Sequence, residues 1–159
     1  LTAAAPVLLW RVSNHADLAG TGGMVASARW HTAGHPVVYL AESPSAALLE
    51  NLVHLELDEE DRPRSYQMLK VAVESAIEPP VEVEAVAIED LPDTWKSDEA
   101  ATRAVGDAWL ERGRTALLRV PSVLTPETWN WLLNPRHPDA ARLRVVSAEN
   151  PLYDSRLRG

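Results

Sequence analysis

Residues 29–50 read RWHTAGHPVVYLAESPSAALLE, and the order of breakers, apolar residues and caps within them sets the architecture. Gly34 and Pro36 interrupt the chain just before a β-rich run, Val37 to Ala41. Ser43 carries the short hydroxyl side chain of a helix N-cap, and Pro44 has the fixed φ that suits a first helical position. The spacing predicts a helix from Pro44 to about Leu55, with Leu48, Leu49, Leu52 and Val53 as its apolar stripe. Glu50 shares helical spacing with Ala46 and Val53, so it falls beside that stripe rather than on the polar face. A carboxylate on such a border usually has a task or a cationic partner.

Outward from this unit, Val7 to Val12 reads as an earlier strand that ends near Arg11, followed by a loop holding Gly20, Gly22 and Gly23. Beyond the helix, residues 58–65 (DEEDRPRS) form a polar loop. Tyr66 to Val73 and Val81 to Ile88 are β-rich and are separated by Pro79 and Pro80. In the second of these, Val81, Val83, Ala85 and Ala87 alternate with Glu82 and Glu84, which predicts one wet face. Ser97 reads as the cap of another helix, with Asp98 and Glu99 in its first turn, where they suit the helix dipole. Its expected buried stripe is Ala101, Ala104, Val105, Ala108 and Trp109, with Arg112 in the last turn and Gly113 as the stop. Thr115 to Val120 is a strand closed by Pro121, Thr125 to Leu133 a short helix or turn, and Leu143 to Ser147 a last strand. Trp129 and Trp131 are read as core. Strands and helices mix without a regular βαβ alternation. The expected class is α+β, with mixed β-sheets and flanking helices in one compact domain over residues 1–159.

The bulk composition narrows the functions open to such a domain. The chain has 159 residues, 46% hydrophobic and 24% charged, which is globular rather than disordered. It has no cysteine, so disulfides, a thiolate nucleophile and cysteine-based metal centres are out of reach. A formal charge of −8 argues against direct nucleic-acid binding through phosphates. No apolar run approaches the roughly 20 residues of a membrane span, and the opening LTAAAPVLLW lacks the basic start and long apolar centre of a signal peptide. A cytoplasmic location is expected.

The glycines of GTGG at 20–23 do not follow the order of a dinucleotide fingerprint or a P-loop, and there is no Gly-x-Ser-x-Gly elbow. His31 and His35 stand four apart, but Gly34 and Pro36 oppose the helix such a pair needs, so no metal site is expected. What stands out is Arg11, Arg29, Tyr39 and Glu50. Each has an ordinary structural explanation: Arg11 as a strand-end surface residue, Tyr39 as core, Glu50 as a one-turn partner of His54. Together they are the parts that a dinucleotide-cleaving site requires. Arginines hold phosphates by paired hydrogen bonds. An aromatic ring stacks on nicotinamide, and a carboxylate stabilises positive charge growing on ribose.

Residues 29–50, GDAWL at 106–110, VPS at 120–122 and NPRHPD at 134–139, taken in that order, resemble the RES domain, a family named for its Arg, Glu and Ser. The resemblance covers most of the chain and rests on the ordered set. It implies a compact body resembling the ADP-ribosyltransferase fold, with a cleft for NAD⁺. By the same resemblance Arg29, Glu50 and Ser122 are the family's Arg, Glu and Ser, Tyr39 lines the nicotinamide pocket and Arg11 is a further NAD⁺ contact. Ser122 also has an ordinary reading, as a turn residue after Pro121. The family consists of toxins of bacterial toxin–antitoxin pairs, so the resemblance implies a helix-turn-helix (Xre-like) antitoxin as partner and allows a homodimer within that complex. NAD⁺ is then the substrate, with Glu50, Arg29 and Tyr39 catalytic and Arg11, Arg29, Tyr39 and Ser122 binding it. Three activities stay open: cleavage of the nicotinamide–ribose bond by hydrolysis or phosphorolysis, ADP-ribosylation of a specific protein, or non-catalytic engagement of a partner.

Overall fold

The computed structural model describes residues 1–55, 66–150 and 156, without the side chains of His54 and Leu55. The polar loop expected at 58–65 and the His54 side chain, the alternative partner of Glu50, lie outside the described residues.

Eight strands among the described residues form one mixed sheet: β1 Thr2–Ala3, β2 Leu8–Ser13, β3 Val38–Ala41, β4 Gln67–Val73, β5 Val83–Ala85, β6 Leu117–Pro121, β7 Trp129–Leu133 and β8 Leu143–Glu149. Their order is β1-β5-β6-β7-β3-β2-β4-β8. The β5–β6 pair is parallel and the other pairs are antiparallel. Three α-helices among the described residues accompany it: α1 Gly22–Val25, α2 Pro44–Leu55 and α3 Glu99–Arg112. The class is α+β, as the mixture of elements implied, although the strands join one continuous sheet rather than several.

Alternation along the strands divides the interior into two cores. On one face, Leu9, Val38, Leu40, Val71, Leu117 and Leu133 pack with Val83 of β5 and Leu143 of β8. Strands from opposite ends of the order share this cluster, so the sheet curls around it. On the other face, Leu118, Val120 and Leu132 pack under Trp30, Trp95 and Trp109. Trp109, fully buried on α3, donates its indole N–H to Thr115 Oγ1 at 2.9 Å, which satisfies its polar edge.

The unit around residues 37–55 folds as its sequence dictates. The backbone N–H of Ala46 donates to Ser43 Oγ at 3.1 Å, the N-cap bond. The apolar stripe of α2 is rotated from expectation, however: Ala47 is buried, while Leu49 and Val53 are 39% and 40% exposed. At α3 the cap is Asp98 rather than Ser97; Asp98 accepts from the Ala101 N–H at 3.1 Å, and Ser97 Oγ donates to the Thr94 carbonyl. Gly113 ends α3 in the left-handed region at φ 58°. The buried residues of α3 are Thr102, Gly106 and Trp109, and Ala104 is exposed. A Cβ on Gly106 would lie 1.6 Å from the Trp30 carbonyl oxygen, so the helix face is chosen for smallness rather than for apolarity.

The segment read as a short helix or turn, 125–133, ends in the central strand β7. Its turn character is confined to the residues around Glu127, which has φ 57°. From Trp129 onward the backbone pairs with β6 on one side and β3 on the other. Tryptophan and leucine suit such a pleated, half-buried strand. β1 and α1 went unread because two residues and one turn leave no periodicity.

Candidate functional site

The β3–α2 unit places Glu50 over the sheet, beside the end of β6 and the start of β7. One carboxylate oxygen, Oε1, accepts from Asn130 Nδ2 at 2.8 Å and from Ser122 Oγ at 3.4 Å. Ser122 is buried just past β6, and its Oγ also accepts the backbone N–H groups of Leu124 and Thr125 at 3.1 and 3.3 Å. Two N–H donors on the hydroxyl oxygen leave its own proton for Glu50. Residues 72 and 80 positions apart thus meet at one carboxylate oxygen.

Tyr39, on β3, is held by its hydroxyl. It accepts the Trp30 N–H at 3.2 Å and lies 2.8 Å from His31 Nδ1. His31 Nε2 faces the Gly23 carbonyl at 3.2 Å. A carbonyl can only accept, so Nε2 carries the proton and Nδ1 accepts from Tyr39. Burial is the main cause that pulls the His31 pKa below its ordinary 6.5. Burial likewise pushes the Tyr39 hydroxyl above its ordinary range, so it stays a phenol. Its hydroxyl is thus committed within the protein, and its side chain packs against the second core.

Between β2 and β3 the ladder consists of one pair, Trp10 with Ala41, whereas β2 and β4 pair over six positions. The Arg11 guanidinium bridges the gap, donating from Nη1 to the Tyr39 carbonyl at 3.2 Å. A cavity of 360 Å³ opens there, lined by Arg11, Ser13, Asn14, Asp17 and the Gly20–Gly22 turn. Burial lowers the Arg11 pKa from its ordinary value, and the nearby Asp17 charge opposes that shift. Arg11 Nε is buried without an acceptor among the described residues.

Arg29 goes elsewhere. Its Nη1 donates to the carbonyls of Trp95 at 3.4 Å and Lys96 at 3.0 Å, and Nη2 lies 4.0 Å from Glu99. The structure therefore joins Glu50 to Ser122, links Arg11 to the Tyr39 backbone, and ties Arg29 to the entry of α3. Sequence reasoning missed Asn130 and the hydrogen-bonding role of His31. The signal for Asn130 was a polar amide between two tryptophans in WNWLL, at a site where strands disfavour asparagine.

Comparison with known proteins adds an independent line. The family model described as the RES domain matches residues 8–155. The chain is 44% identical over 151 residues to the protein named "Toxin Res" of Pseudomonas putida, covering 95% of this chain and 99% of that one. It is 34% identical over 156 residues to the "Prs ADP-ribosylating toxin" of a Sphingobium species, covering 93% and 94%. Among solved structures, the crystal structure of the M. tuberculosis MbcT–MbcA toxin–antitoxin complex matches with a TM-score of 0.75 at 17% identity, covering 94% of this chain and 86% of that chain. At that identity the likeness speaks for the fold.

Proposed function

This chain belongs to the RES-domain family, and on that premise we propose that it is a toxin that binds NAD⁺ and cleaves its nicotinamide–ribose bond. The observation that carries the reading is the contact of Glu50 with Ser122, because the family resemblance had assigned both to the NAD⁺ site and nothing in their spacing required them to touch. In this reading the C1′–N bond breaks and nicotinamide leaves with the bonding pair as a neutral base. The ribose becomes oxocarbenium-like, as in glycoside cleavage. Glu50, held at one oxygen, faces the growing positive charge and a ribose hydroxyl. The Tyr39 ring stacks on nicotinamide, and Ser122 fixes the carboxylate. Arg11, whose cavity Glu50, Tyr39 and Ser122 do not line, is the arginine proposed for the pyrophosphate, because its Nε lacks an acceptor among the described residues. Arg29 joins it by exchanging the Lys96 carbonyl for a phosphate oxygen.

The acceptor oxygen, from water or phosphate, forms the new bond to C1′ and sheds a proton. The name of the Sphingobium relative favours a second reading, in which the acceptor is a side chain of a target protein. Both readings break the same bond. The solved neighbour is a toxin bound to its antitoxin, which supports a partner of that kind here; we propose a helix-turn-helix antitoxin in the cytoplasm, with a homodimer of this chain in the complex.

The test is release of free nicotinamide from NAD⁺ by the purified chain, followed by chromatography with and without phosphate. Release with no other macromolecule present is the expected result. Absence of release under both conditions from a folded sample removes hydrolysis and phosphorolysis and leaves transfer to protein.

A further inference from the structure

We infer that Asn130 is a positioning residue for the reaction, built into the sheet to aim the carboxylate of Glu50; the inference rests on the reading of Glu50 as the group that faces the ribosyl cation. Asn130 lies in β7, opposite Val120 on one side and Ala41 on the other. Val120 and, two residues along, Leu132 belong to a hydrophobic core. An asparagine there departs from both β-propensity and the pattern of the face.

The orientation of its amide follows from its neighbour. A carboxylate oxygen is an acceptor, so the group 2.8 Å from Glu50 Oε1 must be the NH₂. Turning the amide over would set two acceptors against each other. Oδ1 is thereby committed to the other side, where it is buried without a hydrogen-bond partner among the described residues. Burying an unpartnered carbonyl is unfavourable, and leucine has nearly the same shape without that burden. Packing alone therefore does not explain this side chain. What the amide does that leucine cannot is grip Glu50.

The grip is reinforced from just beyond the neighbouring strand, β6. Ser122 Oγ receives two backbone N–H groups and turns its own proton to the same Oε1. Two donors on one oxygen fix the rotation of the carboxylate and set its second oxygen on the side away from them. Asn130 acts through Glu50 rather than on the substrate, so it should govern the rate more than substrate affinity.

The experiment compares wild type with Asn130→Leu and Asn130→Ser for nicotinamide release and for unfolding. For Asn130→Leu the expected result is a Tm equal to or about 2–4 °C above wild type. Its kcat should fall about 10- to 100-fold, since small misplacements of a catalytic group have effects of that order, while KM stays within about threefold. Asn130→Ser keeps a donor and should recover part of kcat. A lowered Tm with kcat unchanged in either variant overturns the inference, because it describes a merely structural residue. A double-mutant cycle of Asn130→Leu with Glu50→Ala, read by urea unfolding, gives a second decision. Non-additive midpoints are expected, and strict additivity overturns the contact. That cycle decides the contact even for a wild type that releases no nicotinamide, a result that would count against the functional reading alone.

Discussion

The two segments that flank the sheet near Tyr39 are held in opposite ways. On one side, residues 28–32 are fastened to α3. Thr102 Oγ1 donates to the Arg29 carbonyl at 2.6 Å, Arg103 Nε donates to the Ala28 carbonyl at 2.8 Å, and Asp107 takes both the backbone N–H and the hydroxyl of Thr32 at 2.8 and 2.7 Å. Trp30 is 2% exposed between them. On the other side, α2 leaves Leu49 and Val53 well exposed, and Glu50 reaches the sheet through the side chains of Asn130 and Ser122. The first wall is set by close backbone approach and by side chains of α3 that hydrogen-bond the backbone of residues 28–32. The second is set, at its chemically important residue, by polar contacts. The arginine and histidine of the RWH triplet are tied into the protein on the α3 side, whereas α2 carries the carboxylate proposed to face the ribosyl cation.

The comparison breaks most easily at Gly106. Gly106→Ala puts a Cβ against the Trp30 carbonyl, so α3 or the 28–32 segment must shift. Overpacking against backbone is expected to destabilise by about 3 kcal/mol or more. Urea unfolding measures it, and a midpoint equal to wild type would show that the α3 wall is looser than its contacts imply.

Glu50→Gln is the counterpart on α2. The amide is nearly isosteric, so the fold should hold and Tm should move little. The charge facing the cation is lost, and kcat should fall about 10²–10³-fold, the usual effect of removing one such electrostatic contact. Turnover at the wild-type rate would take the catalytic carboxylate away from α2 and dissolve the contrast.

The smallest effect sharpens the comparison through pH. His31 sits in the α3-side wall with its folded pKa depressed by burial. A depressed histidine contributes stability that is present above the unfolded value near 6.5 and is lost as pH falls through the folded pKa. The slope is at most about 1.4 kcal/mol per pH unit for one proton. Wild type should therefore lose more stability between pH 7.5 and 5.5 than His31→Gln does. Equal losses would mean that the Tyr39–His31 bond does not depend on neutral imidazole.

These differences also explain what could be read in advance. The β3–α2 unit was legible because its signals are local: breakers at Gly34 and Pro36, a cap at Ser43 and apolar residues at helical spacing. The buried face of α3 was not, because Thr102 and Gly106 are selected by what lies across from them, the Arg29 and Trp30 carbonyls. β7 was hidden because Thr-Pro-Glu reads as a turn, and two tryptophans one residue apart do not fix a period. The family resemblance named Glu50 and Ser122, yet their meeting depends on the β6–β7–β3 pairing that no local pattern states. The destination of the Arg29 guanidinium, 66 and 67 residues away, was equally out of reach.

The bridge from Arg11 to the Tyr39 carbonyl has a mechanical side. Where β2 and β3 part, this guanidinium serves as a rung laid across a seam in the sheet. An anion entering the cavity would compete for that rung, so occupancy of the cavity and cohesion of the seam draw on the same donor. Tyr39 hangs from the far edge, its carbonyl on the rung and its hydroxyl on His31. The same guanidinium thus ties the cavity wall to the strand that carries Tyr39.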